Sequence, residues 1–137
     1  MKFCTEHGQV TVASDVFRSL AGHAAMRCFG VKGMAARSVA DGFYGLLRRE
    51  HIARGVKITL HPDKCEIGVE LHIVVEFGVN IPVVTRSIMS EVRYVLEKHT
   101  GVRVGSMSLF IDALMPDNGT PAKKKSWKRT QPPKGGE

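Results

Sequence analysis

The sequence predicts an α+β protein with two layers, in which two amphipathic helices pack on one face of a mostly antiparallel or mixed sheet. Two segments carry apolar residues at steps of three and four, which is the helical period, and other segments alternate polar and apolar residues as strands do. Because each strand has only one apolar phase, we expect one covered face and one face toward water. The predicted order is strand, helix, an irregular piece or a short helix or strand, two strands, helix and strand.

The first strand and the first helix are predicted before residue 31. Residues 9–12 alternate polar and apolar side chains, which is typical of a short strand. Ser14 is expected to cap a helix of about 15 residues, and Gly30 is expected to end it in a left-handed conformation. Residues 31–52 are harder to assign, since three glycines interrupt a helical composition. The inward stripe of the first helix is Phe17, Leu20, Ala24 and Cys28, widened by Val16, Ala21 and Ala25.

Residues 56–77 predict a hairpin. Apolar residues alternate on both sides of a turn at residues 61–64, where Pro62 suits the first central position. A tight pairing across this turn places both apolar sets on the same face of the sheet. The expected pairs are Leu60 with Cys65, Ile58 with Ile67, and Val56 with Val69.

The second helix and the last strand complete the folded part. Asn80 is expected to cap the helix, Pro82 is tolerated in its first turn, and Gly101 is expected to end it. The last strand changes phase at residues 105–106, which indicates a bulge. The inward stripe of the helix is Ile81, Val84, Ile88, Val92 and Val95.

Charge divides the chain into two parts. Residues 1–120 carry 14 basic and 12 acidic side chains, whereas residues 121–137 carry six basic and one acidic. After Pro116 little apolar surface is left to offset an ordering cost of about 1–2 kcal/mol per residue. We therefore predict one α+β domain over residues 1–115 and a disordered basic tail over residues 116–137.

The tail has two functional interpretations and one simpler interpretation. A lysine-rich segment with an aromatic side chain is suited to an anionic lipid surface, and it can also add weak nucleic-acid affinity. The simpler interpretation is a solubilising tail without a dedicated partner. The residues predicted to contact an anionic surface are Lys123, Lys124, Lys125, Trp127, Lys128 and Arg129.

Apolar stretches and cysteines indicate the cell compartment. No apolar stretch approaches the about 18 residues of a membrane span, and the N-terminus lacks the apolar segment of a secretion signal. The three cysteines form no C-x-x-C pair and are expected to be reduced thiols, with Cys28 and Cys65 partly buried. These features predict a cytoplasmic protein.

No constellation in the sequence predicts catalysis, a cofactor or a metal ion. His61, Cys65 and His72 are the closest set of metal-ligating types, but the hairpin register separates Cys65 from the histidines. The patterns G-x-S-x-G, H-E-x-x-H and the phosphate-binding loop are absent from the sequence. Cys4, near a terminus expected to fray, has no dedicated base nearby. We therefore predict that the protein is not an enzyme.

The outward phase of the long strand carries a row of ionisable side chains. Solvation is the simplest expectation for them, because this row lies on the polar side of a half-buried sheet. A partner or a second copy that covered this face would turn them into interface contacts. The residues of this predicted protein-contact face are Glu70, His72 and Glu76.

A nucleic-acid alternative rests on one short motif. Gly30, Val31, Lys32 and Gly33 form a G-x-x-G, the pattern with which KH modules clamp a nucleotide backbone. The motif is short, and Gly30 is already explained as a helix stop. A KH-like RNA-binding module that uses this loop and the basic tail is therefore the alternative function.

Residues 71–82, LHIVVEFGVNIP, resemble the signature of the alkaline-shock, or envelope stress response, protein family of Gram-positive and related bacteria. The opening GQVTVAS at residues 8–14, the GVKGM at 30–34, the GVKI at 55–58 and the HTGV at 99–102 are also similar to the family, so the resemblance covers residues 8–114.

This resemblance implies a small cytoplasmic α+β protein without assigned catalytic activity, linked to envelope and alkaline stress. It further implies a protein partner, in some members one anchored in the membrane, and so a location at the inner membrane face. Self-association stays open. The resemblance does not explain the basic tail, and it interprets Gly30 as a helix stop that leads into the sheet. We therefore predict a non-enzymatic interaction protein that contributes to envelope homeostasis or stress response.

Overall fold

The structure is a computed structural model that describes residues 1–35 and 49–116. Two helices, six strands and two short 3-10 segments follow one another in these parts of the chain. Their order and bounds are β1 (Lys2–Thr5), β2 (Gly8–Thr11), α1 (Ser14–Met26), β3 (Val31–Met34), a 3-10 segment (Arg49–Gly55), β4 (Val56–His61), a second 3-10 segment (Pro62–Lys64), β5 (Glu66–Glu76), α2 (Ile81–Thr100) and β6 (Arg103–Met115).

The main sheet is built around β5. Strands β4 and β3 pair antiparallel with its first and last parts, and β6 runs parallel to its whole length. Since β6 occupies one edge of β5, β4 and β3 lie end to end along the other edge. The sheet is therefore mixed, and the predicted two-layer α+β class is confirmed. Strands β1 and β2 form a separate hairpin.

The core lies between the two helices and one face of this sheet. Phe17 and Leu71 are fully buried there, and so is Ile88 of α2. The alternation along β5 and the helical period of α2 place these side chains on facing surfaces. The main cluster of buried residues is Phe17, Ala21, Ala24, Ala25, Met34, Ile52, Val56, Ile58, Ile67, Val69, Leu71, Ile73, Val75, Val84, Ile88, Val92, Leu96, Val102 and Val104.

The helix boundaries are confirmed in part. The Asn80 side chain accepts a hydrogen bond of 3.2 Å from the amide of Val83, and Gly101 ends α2 with φ of +70°. The expected cap of α1 is wrong, because the capping position is Ala13 and no side chain caps the helix. Helix α1 also ends earlier than predicted, at Met26, while Gly30 has the expected positive φ in the following turn.

The hairpin is confirmed, but its predicted register is wrong by two residues. His61 pairs with Glu66, and Ile58 pairs with Val69 rather than Ile67. The reason is the turn, which holds a 3-10 segment and then Cys65 in a left-handed conformation. Cys65 is therefore exposed, against expectation, and belongs to no strand. A shift of two residues keeps the faces of both strands unchanged.

Two further differences from the prediction concern the N-terminus and strand β6. The N-terminus is not frayed, because β1 pairs with β2 over residues 2–11 and Cys4 lies in this hairpin. The bulge predicted near residue 105 is confirmed, and β6 contains a second bulge at Asp112. Most of the irregular segment predicted at residues 31–52, and the tail after Pro116, lie outside the described residues.

Candidate protein-contact face

The face of the main sheet that points away from the helices carries most of the polar side chains of the sheet; we call it the outer face. Its residues stand in rows across the strands, because partners in register share a face. Three rows follow one another along β5: His61, Glu66 and Arg103; then Thr59, Gly68 and Ser106; then Lys57, Glu70 and Ser108. His72 and Phe110 form the next row.

His72 is held between two carboxylates on this face. Its Nδ1 lies 2.9 Å from Oδ2 of Asp112, and its Nε2 lies 3.0 Å from Oε1 of Glu70. The His72 side chain is only 14% exposed, and both carboxylates are also partly buried. An imidazolium donates to both carboxylates at once, whereas a neutral imidazole donates to one. Both ring nitrogens are therefore engaged within the fold.

The orientation of the His72 ring follows from two features of β6. The ring stacks on Phe110, with centroids 4.8 Å apart and planes inclined by 9°. The second bulge shifts the β5 to β6 register between Ile73 and Val74, so that Asp112 is the extra residue. A bulge redirects a side chain, and here it brings the Asp112 carboxylate to the imidazole. The stacked ring and the two hydrogen bonds fix this site on rigid strands.

A shallow depression of about 140 Å³ lies beside this site. Its floor is Gly68, which lacks a side chain between Thr59 and Ser106 of the neighbouring strands. Hydroxyl groups of Thr59, Ser106 and Ser108 therefore surround an open floor. The lining residues are Thr59, His61, Gly68, Val69, Glu70, Ser106 and Ser108.

The three residues predicted for the contact face all lie on it, but they do not form one cluster. Glu70 and His72 are neighbours on this face, whereas Glu76 is four residues beyond His72 along β5, roughly 13 Å away at the rise of a strand. Glu76 pairs with Lys32 of β3 at 3.6 Å. The arrangement therefore centres on Glu70 and His72, and Glu76 belongs to the end of the sheet.

The G-x-x-G hypothesis is wrong in its structural premise. Val31 pairs with Val75 and Gly33 pairs with Val74, so the motif continues into β3. A clamp for a nucleotide backbone requires an open loop, and strand pairing uses the same backbone groups. Lys32 is engaged with Glu76. The tail residues Lys123, Lys124, Lys125, Trp127, Lys128 and Arg129 lie outside the described residues.

One absence and one pKa shift bear on metal binding and thiol reactivity in the described residues. Within residues 1–35 and 49–116, no group of three or more histidine, cysteine or acidic residues is placed to hold a metal ion. Burial raises the pKa of the Cys28 thiol above its ordinary value, and the nearby Glu91 carboxylate adds to this rise. A thiol with a raised pKa is a weaker nucleophile at neutral pH.

Sequence reasoning missed Asp112 and Phe110. Asp112 is a single carboxylate within the apolar run from Leu109 to Met115, and this interruption is the one signal that could have indicated its role. Phe110 lies in the outward phase of β6, where an aromatic side chain is unusual for a solvated face. Pairing of β6 with β5, which the sequence does not reveal, was needed to bring both next to His72.

A comparison with protein families finds one match over residues 2–116. The matching model describes the alkaline shock protein family, with a cell envelope-related function. No solved structure is detectably similar to the chain. In the described parts, no helix is long and apolar enough to span a lipid bilayer.

Three bacterial proteins are similar over most of their length, and each is described as uncharacterized. YloU of Bacillus subtilis is 29% identical over 115 residues, which cover 83% of this chain and 94% of YloU. Spy1614 of Streptococcus pyogenes is 31% identical over 81% of this chain and 91% of its own. YqhY of Bacillus subtilis is 31% identical over 78% and 77%.

Proposed function

Because the chain belongs to the alkaline shock protein family, whose function is related to the cell envelope, we propose that it is a non-enzymatic interaction protein. On this proposal it contributes to envelope homeostasis or to the response to envelope and alkaline stress. It acts from the cytoplasm, at the inner face of the membrane, through a protein partner associated with that membrane. The observation that carries the proposal is the outer face, with its His72 site.

The chemistry of the outer face favours a partner with a cationic side chain. Lys57 stands opposite Glu70 in the same row. With Lys57 counted, the His72 site is neutral when the imidazole is protonated and carries one net negative charge when it is neutral. An arginine or lysine of the partner would complement the negative state, with arginine able to bind a carboxylate through two hydrogen bonds. The depression over Gly68 would accept a small neighbouring side chain of the partner. Shape and charge would then act together.

The state of His72 supports binding rather than catalysis. A general base needs a ring nitrogen within reach of a substrate proton. Both nitrogens of His72 face carboxylates at 2.9 and 3.0 Å, and the ring is stacked on Phe110. The His72 side chain therefore helps to fix the shape of the outer face.

The basic tail supplies a second contact on this proposal. Six of its residues, from Lys123 to Arg129, include five cations and Trp127. Each cation near an anionic lipid surface contributes about 1 kcal/mol. Co-sedimentation with anionic vesicles should be stronger for the full chain than for a chain that ends at Thr120. Equal binding by both would remove the tail from the proposal.

The partner claim is tested by affinity purification from the membrane fraction of the native cell. Three tagged forms are compared: the natural chain, the double variant Glu70→Lys with Asp112→Lys, and the control variant Arg93→Glu on the exposed side of α2. We expect the natural chain and the control to enrich the same membrane protein and the double variant to lose it. The double variant must first give the circular dichroism spectrum of the natural chain.

Two results would contradict this proposal. The first is enrichment of the same membrane protein by the natural chain and by a folded double variant. The second is loss of that protein with Arg93→Glu alone, which would move the contact to the helical layer. If the double variant fails to fold, Ser108→Arg, a change of one exposed side chain beside Glu70, takes its place.

A further inference from the structure

The end of the sheet at which β5 finishes presents two exposed phenylalanines on neighbouring turns. Phe29 lies between α1 and β3 and is 82% exposed, and Phe77 directly follows β5 and is 65% exposed. The two turns are joined, because the amide of Glu76 donates a hydrogen bond of 2.8 Å to the carbonyl of Gly30. Exposed apolar side chains of this size that cluster at one place indicate an interaction site.

The first turn of α2 extends this cluster. Ile81 and Val83 are both exposed, and they follow Phe77 after a short turn. Gly30 packs closely against this turn and against α2, since a Cβ at Gly30 would lie 3.2 Å from the Val79 side chain and 3.3 Å from the Val84 side chain. We call Phe29, Phe77, Ile81 and Val83 the apolar end. The hydrogen bond between Glu76 and Gly30 and the packing at Gly30 fix the backbone that carries these side chains.

Charged side chains of both signs border the apolar end in the chain. Arg27 is exposed two residues before Phe29, and Arg86 lies on α2, where its Nε donates to the carbonyl of Pro82. Lys32 neutralises Glu76, the carboxylate nearest to Phe77 in the chain. Glu91 is the next acidic residue along α2 and lies near Cys28. Three cations against two carboxylates leave the rim weakly positive, which is complementary to an anionic surface.

The basic tail leaves the fold at the same end. The amide of Phe77 donates a hydrogen bond of 2.8 Å to the carbonyl of Met115, and the described part of the chain finishes at the next residue, Pro116. The first of the six Lys and Arg residues of 121–137 is Lys123, seven positions after Pro116. The point at which the described part of the chain finishes therefore lies beside Phe77.

We propose that the apolar end docks directly on an anionic lipid surface, with Phe29 and Phe77 inserted at the level of the headgroups. A phenylalanine presents roughly 200 Å² of side chain, so the two exposed rings offer about 300 Å². That is well below the about 800 Å² per partner of a stable protein interface. It suits shallow insertion into a bilayer, for which an apolar anchor combined with a basic segment gives stable binding.

This inference rests on the envelope location proposed above, but it uses another surface than the partner does. The outer face is centred on His72, whereas the apolar end lies beyond Glu76. Failure of one contact therefore leaves the other testable: vesicles contain no protein partner, and the variants of the outer face leave Phe29 and Phe77 unchanged.

The first test is co-sedimentation of the full chain with vesicles of phosphatidylcholine, with and without phosphatidylglycerol. The double variant Phe29→Ser with Phe77→Ser is compared with Val16→Ser with Tyr94→Ser, which removes two exposed apolar side chains elsewhere. We expect the phenylalanine variant to lower the partition coefficient on anionic vesicles by about tenfold and the control to leave it unchanged. Circular dichroism verifies that both variants are folded.

The second measurement reports insertion itself and does not depend on loss of binding. The variant Phe77→Trp with Trp127→Phe places the single tryptophan on the apolar end, and Tyr94→Trp with Trp127→Phe is its control. On anionic vesicles we expect a blue-shifted emission and quenching by brominated acyl chains for the first variant alone.

Three results would overturn the inference. One is equal vesicle binding by the natural chain and the phenylalanine variant, without quenching at position 77. Another is binding that disappears entirely in a chain ending at Thr120 and does not change with Phe29→Ser and Phe77→Ser, which assigns lipid contact to the tail alone. The third is concentration-dependent dimerisation that needs both phenylalanines while vesicles bind neither form, which makes the apolar end a contact between copies.

Discussion

Between Glu66 and His72 the two faces of β5 have opposite properties, although residues of the two faces alternate along one strand. Ile67, Leu71 and Val75 face the helices and are fully buried, while Glu70 and His72 lie on the outer face and remain partly accessible. Apolar burial supplies most of the free energy of folding, whereas partly exposed ion pairs contribute about 0–1 kcal/mol. Substitutions at neighbouring positions should therefore affect different properties: stability on one face, recognition on the other.

The largest difference between the faces is expected at two adjacent positions. Leu71→Ala removes a fully buried side chain and leaves a cavity, so the free energy of unfolding should fall by about 2–5 kcal/mol. His72→Ala removes two hydrogen bonds from a partly exposed site and should lower it by about 1 kcal/mol. Urea denaturation followed by circular dichroism measures both. Equal losses would show that the outer face is part of the stabilising core.

Two glycines extend the comparison from side chains to backbone. A Cβ at Gly55 would lie 2.9 Å from Cβ of Met34 and 3.0 Å from the carbonyl oxygen of Ala35, which cannot move aside. Gly55→Ala should therefore lower the stability by about 1–3 kcal/mol. At Gly68 the nearest atom is Oγ of Ser106, at 3.0 Å, on a side chain that can rotate.

We accordingly expect Gly68→Ala to cost less than about 1 kcal/mol while it fills the depression on the outer face. Thermal unfolding should give a clearly lower midpoint for Gly55→Ala than for Gly68→Ala. The reverse order would contradict the close approach of Met34 and Ala35 to Gly55.

The smallest effect concerns the three thiols. Burial raises the pKa of Cys28 above its ordinary value of 9.0, while Cys4 and Cys65 are exposed. At pH 8 Cys28 should react with iodoacetamide several-fold more slowly than the other two, as peptide mass spectrometry can measure. Because ionisation is easier in the unfolded chain, the contribution of Cys28 to stability should be complete below pH 9 and decrease at higher pH. Equal rates for all three thiols would contradict this.

The faces of the strands were predictable from the sequence, since a period of two assigns each residue of β5 to one side. That is why His72 and Glu70 were expected on the outer face although the register of the hairpin was wrong. The loop has four residues, as predicted, but it lies one position later, at residues 62–65, because a 3-10 segment and then Cys65 in a left-handed conformation follow His61. The shift it causes is two residues, and a shift of two leaves the faces unchanged.

The neighbours of His72 were not predictable, because they come from the pairing between β5 and β6. Parallel strands joined through a helix have no short turn that fixes their register. The bulge at Asp112 depends on that pairing, and without the bulge its carboxylate would not reach the imidazole. The start of α1 was also missed, since Ser14 is a good capping residue that here stands one position inside the helix.

The central claim is that the outer face, and not the helical layer, contacts a membrane-associated protein. A photo-activated amino acid placed at Thr59 or Ser108 probes the outer face, and one at Ser90 or Arg93 probes the exposed side of α2. After irradiation of native cells, we predict adducts with the same membrane protein from both outer-face positions and none from α2. Adducts with that protein from Ser90 and Arg93, and none from Thr59 and Ser108, would contradict the account.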